Sequence, residues 1–192
     1  MGAIRAATIV AVAALSVAGC SSPISNSNDT NEAPPPPPPP TSTARPSNDK
    51  LVNAFDFYAK TDDRAGYYFV SPSGSWRCVV VARSWAGCQS SGGSLGIQGA
   101  PQSVTDDAGA SVTPNAIVVR TQGEPQFASV SADEFKPPTG TAKTLPFDKI
   151  LAAAGFRCNV TQLAGISCLS EETNKGFTFS STGASWQYTD VP

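Results

Sequence analysis

The stretch WRCVVVARSWAGCQS, residues 76–90, decides the fold, because its pattern returns as FRCNVTQLAGISCLS at residues 156–170. Both stretches begin with an aromatic residue, an arginine and a cysteine, and both end with a second cysteine two positions before a serine. The nine residues between the cysteines allow two strands and a tight turn to bring the sulfurs within disulfide reach. Four cysteines permit three pairings. The repeated gap favours the local one, Cys78 with Cys88 and Cys158 with Cys168.

A zinc site is the competing use of four cysteines. Zinc modules separate paired cysteines by two to four residues and often add histidine, whereas this chain has the longer gap and no histidine. An exported protein also lies where disulfides persist. We therefore expect two structural disulfides and neither a metal nor a cofactor.

Short apolar segments rich in Val, Tyr, Phe and Trp surround these cysteines, and turn residues separate them. This pattern predicts an all-β fold, a small disulfide-stapled sandwich or barrel with two similar cysteine hairpins and little helix. Only residues 51–59 and 147–154 could be helical, each for a turn or two. A further similarity links FVSPSGSW at 69–76 with FSSTGASW at 179–186. It precedes one cysteine pair and follows the other, which suggests either a permuted duplication or two similar hairpins in one sheet.

The amino terminus has the organisation of an export signal. Arg5 precedes an apolar run, residues 6–17, that is too short to span a bilayer. The run ends in Val17-Ala18-Gly19-Cys20, which resembles the lipobox of bacterial lipoproteins. The resemblance implies a signal peptide at 1–19 and acylation, including palmitate, of Cys20. Two or three acyl chains would hold the protein at the outer, extracytoplasmic face of the cell membrane.

Residues 20–49 are dominated by Ser, Asn, Thr and Pro, including seven consecutive prolines at 34–40. Such a composition predicts a disordered, Pro-rich tether that contains a stiff polyproline spacer. Residues 50–192 are then long enough for one β-rich domain with its own core. Thirteen basic and fifteen acidic residues are spread without runs of either sign, so we expect no nucleic-acid partner.

Several short patterns suggest enzyme chemistry. Residues 92–96, GGSLG, match the G-x-S-x-G nucleophile motif, but without a histidine no Ser-His-Asp triad can form, so we interpret the segment as a glycine-rich loop. The adjacent acids at 62–63, 106–107 and 171–172 could be paired carboxylates of a glycoside hydrolase. We interpret them as solvated side chains and assign no catalytic residue.

Aromatic residues are the stronger candidates for a binding surface. Tyr67, Tyr68 and Trp85 lie close in sequence, and β-modules that bind sugars or peptides often present such rings. Trp76 and Trp186 occupy matching places in the two FVSPSGSW-like segments, so we expect both to fill the core.

The SPSG turn and the cysteines resemble those of a family of small secreted proteins and lipoproteins of Actinobacteria. The similarity rests on Phe69, residues 71–74 and Cys78, and later on residues 145–146, Cys158, 165–168 and 173–177. This chain departs from the family pattern at residues 75–76 and 174–175. The family has no assigned activity, so the resemblance implies an envelope location and a cysteine framework and no catalytic residue.

The sequence therefore predicts a lipid-anchored, non-catalytic binding module that offers a surface to an envelope protein, a glycan or a lipid. Two alternatives remain open. One is a cell-wall hydrolase or transferase that uses carboxylates alone, and the other is a purely structural or decoy surface lipoprotein.

Overall fold

A computed structural model describes residues 48–192 of the chain. The predicted signal peptide, Cys20 and nearly all of the predicted tether lie outside the described residues. Within them the chain forms strands and short 3₁₀ turns at Asn48–Lys50, Ala54–Phe57 and Ala132–Phe135, which confirms the all-β prediction. Residues 51–59 contain one such turn. The expectation for 147–154 is wrong, because Ile150–Ala153 pairs with its neighbour as a strand.

The fourteen strands of the described part are numbered in chain order: β1 Tyr58–Lys60, β2 Ala65–Val70, β3 Trp76–Val81, β4 Trp85–Ser90, β5 Val104–Thr105, β6 Ser111–Val112, β7 Ala116–Arg120, β8 Gln126–Ala128, β9 Lys143–Thr144, β10 Ile150–Ala153, β11 Phe156–Thr161, β12 Gly165–Ser170, β13 Gly176–Ser180 and β14 Gly183–Ser185.

Two open sheets form the domain. Sheet 1 has the order β1-β2-β3-β4-β7-β8, with β9 alongside β2, and sheet 2 has the order β10-β11-β12-β13-β14. Strands β5 and β6 form a separate small hairpin. One core cluster contains Cys78 and Ile117 from sheet 1 together with Cys158 and Phe177 from sheet 2. The sheets therefore pack as a sandwich, and the barrel alternative does not apply because neither sheet closes.

The two sheets repeat one plan. In sheet 1 Cys78 pairs with Phe69 of the preceding strand, and in sheet 2 Cys158 pairs with Leu151. On the other side Cys88 pairs with Ile117, whereas Cys168 pairs with Phe177. Strands β2, β3, β4, β7 and β8 thus correspond, in the same order, to β10, β11, β12, β13 and β14.

The two similar cysteine hairpins are present as predicted, but neither predicted arrangement of them is right. The hairpins lie in different sheets, and their strands follow the same chain order without permutation. The similarity between residues 69–76 and 179–186 falls on the β2–β3 and β13–β14 turns, which are not equivalent in this plan. It reflects shared turn chemistry, since serine and glycine suit tight turns wherever they occur.

Each half also lends a leading segment to the other sheet. Strand β9 precedes β10 in the chain but runs parallel to β2 of sheet 1. Leu51, near the start of the domain, forms a parallel bridge to Ile150 of sheet 2. The Val52 N–H donates to the Ile150 carbonyl at 2.9 Å, and the Leu145 N–H donates to the Val70 carbonyl at 3.0 Å. These exchanged segments join the two sheets through backbone hydrogen bonds.

Candidate binding surfaces

The cysteines pair as the repeated gap predicts. Cys78 is bonded to Cys88, with Cα atoms 4.1 Å apart, and Cys158 to Cys168, with Cα atoms 4.2 Å apart. Each pair lies directly opposite in an antiparallel register. All four side chains are fully buried in the core, so these disulfides act as internal staples of the two hairpins.

The three aromatic candidates do not share one surface. Tyr67 and Tyr68 point to opposite faces of β2, because successive strand residues alternate. Tyr67 is half-buried on the inner face and contacts Tyr58, with ring centroids 5.2 Å apart. Tyr68 is only 1% exposed and packs on the outer face with Val79, where burial raises the pKa of its hydroxyl.

Trp85 is the one member of this trio that lines a large groove at the β8 edge of sheet 1. Its indole is half-buried against Phe135, with ring centroids 5.6 Å apart at 72°. We name this feature the β8 groove, because it follows residues 125–131 around edge strand β8. The β5–β6 hairpin and Trp186 line it as well, and its volume is about 740 Å³.

Trp186 is the residue that sequence reasoning misplaced. It was expected in the core but is 47% exposed at the groove. Its ring packs edge-on against Phe127 of sheet 1, with centroids 5.2 Å apart. Trp76 meets its expectation only in part: it packs against the core, with its ring centroid 4.5 Å from that of Phe179, but it is half-buried and not fully inside the core. Trp186 follows the short edge strand β14, Gly183–Ser185, and lies in a bend, so no strand alternation in the sequence indicated which way its ring would face.

The charged residues of the β8 groove are Asp106, Asp107, Glu134 and Arg120. The Asp106 carboxylate accepts hydrogen bonds from the Ala108 and Ala110 N–H groups, at 3.0 and 2.8 Å, and so stabilises its own turn. Asp107 lies 4.0 Å from Arg120 in an exposed ion pair. These two neighbouring carboxylates therefore interact with different groups.

The other adjacent acids also separate. Glu171 lies 3.4 Å from the Arg157 guanidinium, whereas Glu172 accepts a hydrogen bond from Gln122. The acids at 62–63 are exposed in a bend. The structure thus assigns these carboxylates to surface ion pairs and turns.

The glycine-rich segment at 92–96 forms an irregular loop after β4, as predicted. Gly93 and Gly96 have φ values of 85° and 63°, the left-handed region that favours glycine. Ser94 lies at the edge of a second pocket, of about 410 Å³, between the ends of the two sheets. We name it the serine pocket, because eight of its seventeen lining residues are serine or threonine.

Comparison with protein-family models, curated proteins and solved structures finds no match to this chain. Within residues 48–192, no helix is long and apolar enough to cross a bilayer. In the same range, no three His, Cys, Asp or Glu side chains are grouped to hold a metal ion. The two surfaces described above are therefore the basis for a functional proposal.

Proposed function

We propose that this chain is a lipid-anchored protein of the bacterial cell envelope whose β-domain is a non-catalytic binding module. The anchor rests on the sequence alone: an apolar run of signal-peptide length ends at Val17-Ala18-Gly19-Cys20. A Pro-rich segment follows and would hold the domain away from the membrane surface. The partner is an envelope protein, glycan or lipid.

The observation that carries the binding role is the exposed aromatic wall of the β8 groove. Trp186 is large and apolar, yet nearly half of its surface remains exposed beside Phe127. Isolated exposed apolar residues are ordinary, but rings gathered in a groove with a few polar groups are typical of a ligand site. Gln126 is an exposed polar neighbour that could orient a ligand there.

Photocrosslinking in the native envelope tests this proposal. A photoreactive residue at position 126, inside the β8 groove, should capture a specific partner, and Trp186→Ala should weaken that capture. The matched control places the photoreactive residue at position 55, where Phe55 is 83% exposed and does not line the groove. Equal crosslinking from both positions would contradict a site at the groove.

The anchor is tested separately in the same strain. Cys20→Ala should move the protein from the detergent phase to the aqueous phase, because the acyl chains supply the membrane affinity. The purified variant should melt like the wild-type domain. Retention of Cys20→Ala in the detergent phase would refute the lipid anchor without bearing on the groove.

The rival function is a wall-acting enzyme, and one observation favours it: Asp107 and Glu134 line the same groove. A carboxylate mechanism would need one of them as acid and the other as base or nucleophile. Loss of polymer cleavage in both Asp107→Asn and Glu134→Gln would support the enzyme and replace the binding proposal.

A further inference from the structure

The serine pocket is a second candidate site, independent of the β8 groove. It opens at the end of the sandwich where the β2–β3 turn, the loop at 94–96 and the β11–β12 hairpin meet. Trp76 and Phe179 line it in an edge-to-face contact at 4.5 Å. Phe147, which is 39% exposed, also contributes to the lining.

The repeated plan shows how this pocket arises, because the equivalent end of the sandwich is closed. There the Arg83 N–H, at the centre of the β3–β4 turn, donates to the Ala154 carbonyl of the other half at 3.3 Å. Leu163 occupies the same place in the β11–β12 turn, but its side chain is fully exposed. One hairpin turn thus reaches the opposite half, whereas its counterpart leaves an apolar side chain in solvent.

An insertion in the first half accounts for the difference. Residues 91–115 separate β4 from β7, whereas only residues 171–175 separate the equivalent strands β12 and β13. At the closed end the Ser170 hydroxyl donates to the Thr121 carbonyl at 3.4 Å. At the serine pocket the equivalent carbonyl, that of Ser181, accepts instead from the Gln98 N–H of the insertion, at 3.1 Å. The insertion therefore forms one wall of the serine pocket, whereas at the closed end the two halves contact each other directly.

Backbone groups hold several hydroxyls of the pocket in place. The Ser73 oxygen accepts from the Ser75 N–H at 3.3 Å, and the Ser90 oxygen accepts from the Gly92 N–H at 3.3 Å. The Thr161 oxygen accepts from the Ala164 N–H at 3.0 Å. A hydroxyl that accepts in this way still has its own O–H to donate. The Ser73 hydroxyl also lies 3.0 Å from the Ser71 hydroxyl, so one of these two donates to the other. The pocket thus presents hydroxyl groups in fixed positions beside aromatic rings.

The charge of the lining selects among ligand classes. None of the seventeen lining residues is charged, so a phosphate or carboxylate ligand would find no cationic partner there. An acyl chain in the pocket would remove these hydroxyls from water. It has no polar group to replace the hydrogen bonds that they make with water, and this loss is unfavourable. A neutral saccharide offers C–H faces for the aromatic rings and hydroxyls for the rim.

We propose that the serine pocket binds an uncharged saccharide, with Trp76 and Phe147 against the sugar ring and the serine and threonine hydroxyls bonded to its oxygens.

Titration of the ¹⁵N-labelled protein with neutral gluco- and manno-oligosaccharides tests this site. Amide shifts should appear at residues 71–76, 94–96 and 161–166, and a charged oligosaccharide of equal length should leave them unchanged. Phe147→Ala should weaken binding about tenfold by removing an aromatic contact. Phe55→Ala, the matched control, removes an equally large exposed ring that does not line the pocket and should bind like wild type.

A second variant keeps the test decisive if Phe147→Ala perturbs folding. Ser94 is exposed at the pocket edge, so Ser94→Arg should impair saccharide binding while the domain melts normally. The proposal is overturned if the neutral sugars cause no shifts up to about 10 mM. It is equally overturned if the shifts fall on the β8 groove, or if a fatty acid or the charged sugar binds in preference.

Discussion

At the scale of single residues, the halves differ most on their outer faces. Val79 of sheet 1 packs with Tyr68 and Phe135, whereas its equivalent in sheet 2 is a buried asparagine, Asn159. The Asn159 amide donates to the Tyr188 hydroxyl and to the Thr189 carbonyl, both at 2.9 Å. One outer face is thus covered through apolar contacts and the other through hydrogen bonds.

This difference explains why the sequence did not reveal the full extent of the repeat or the burial of Tyr68. Equivalent outer positions carry valine in one half and asparagine or threonine in the other, so the repeat is visible only near the cysteines. Sheet 1 is buried on both faces, so the alternation of Tyr67 and Tyr68 could not indicate which ring faced solvent. Burial of Tyr68 follows from the segment carrying Phe135, which is distant in sequence.

Tyr188 yields a prediction on pH dependence. Burial, followed by the negative charge of Asp190, raises the pKa of its hydroxyl above the ordinary value of 10.0. The folded state therefore keeps this proton after the unfolded chain has lost it. The resulting stability is complete below about pH 10 and is lost as the pH rises further. Tyr188→Phe should make the alkaline loss of stability shallower, although buried Tyr68 will still contribute.

Urea unfolding at pH values from about 8 to 11 measures this effect. Tyr58→Phe, which alters a tyrosine that is 41% exposed, is the control and should follow the wild-type curve. If the free energy of unfolding falls equally steeply with rising pH in wild type and in Tyr188→Phe, the Tyr188 proton is not linked to folding.

At the scale of elements, the cysteine hairpins were the most predictable part of the molecule. The repeated spacing favoured the observed pairing, because it suits directly opposed residues on neighbouring antiparallel strands. The flanking strands were harder, since β2 and β10 share almost no sequence and are matched only by register. The candidate site was less predictable still. The β8 groove combines elements far apart in the chain, and of the expected aromatic residues only Trp85 lines it.

Because the two hairpins have the same geometry, we predict that their disulfides stabilise the domain by equal amounts. Cys78→Ala with Cys88→Ala should lower the free energy of unfolding by about 3 kcal/mol, and Cys158→Ala with Cys168→Ala by a similar amount. The reason is that both bonds close loops of the same sequence separation, 10 residues. Chemical denaturation of both double variants measures the losses. A negligible loss for either double variant would mean that its reduced hairpin keeps its structure without the bond.

At the scale of the whole molecule, the exchanged edge segments make the halves interdependent. Strand β9 belongs in sequence to the second half but completes the edge of sheet 1, and Leu51 does the converse for sheet 2. Residues of both sheets also form a single inner core. Neither half therefore contains all the contacts that its own sheet requires.

This interdependence predicts one cooperative transition for residues 48–192, even after a staple is removed. In the Cys158→Ala, Cys168→Ala variant, amide protection should fall by the same factor at Val79 and Val119 of sheet 1 as at Ile166 and Phe179 of sheet 2. The reason is that opening sheet 2 removes the residues on which the inner face of sheet 1 packs. It also breaks the edge contacts of β10. Calorimetry should give a single peak with matching calorimetric and van't Hoff enthalpies. Persistent protection in sheet 1 beside an exchanged sheet 2, or two separate peaks, would show that the halves are autonomous and that the exchanged segments contribute little to coupling.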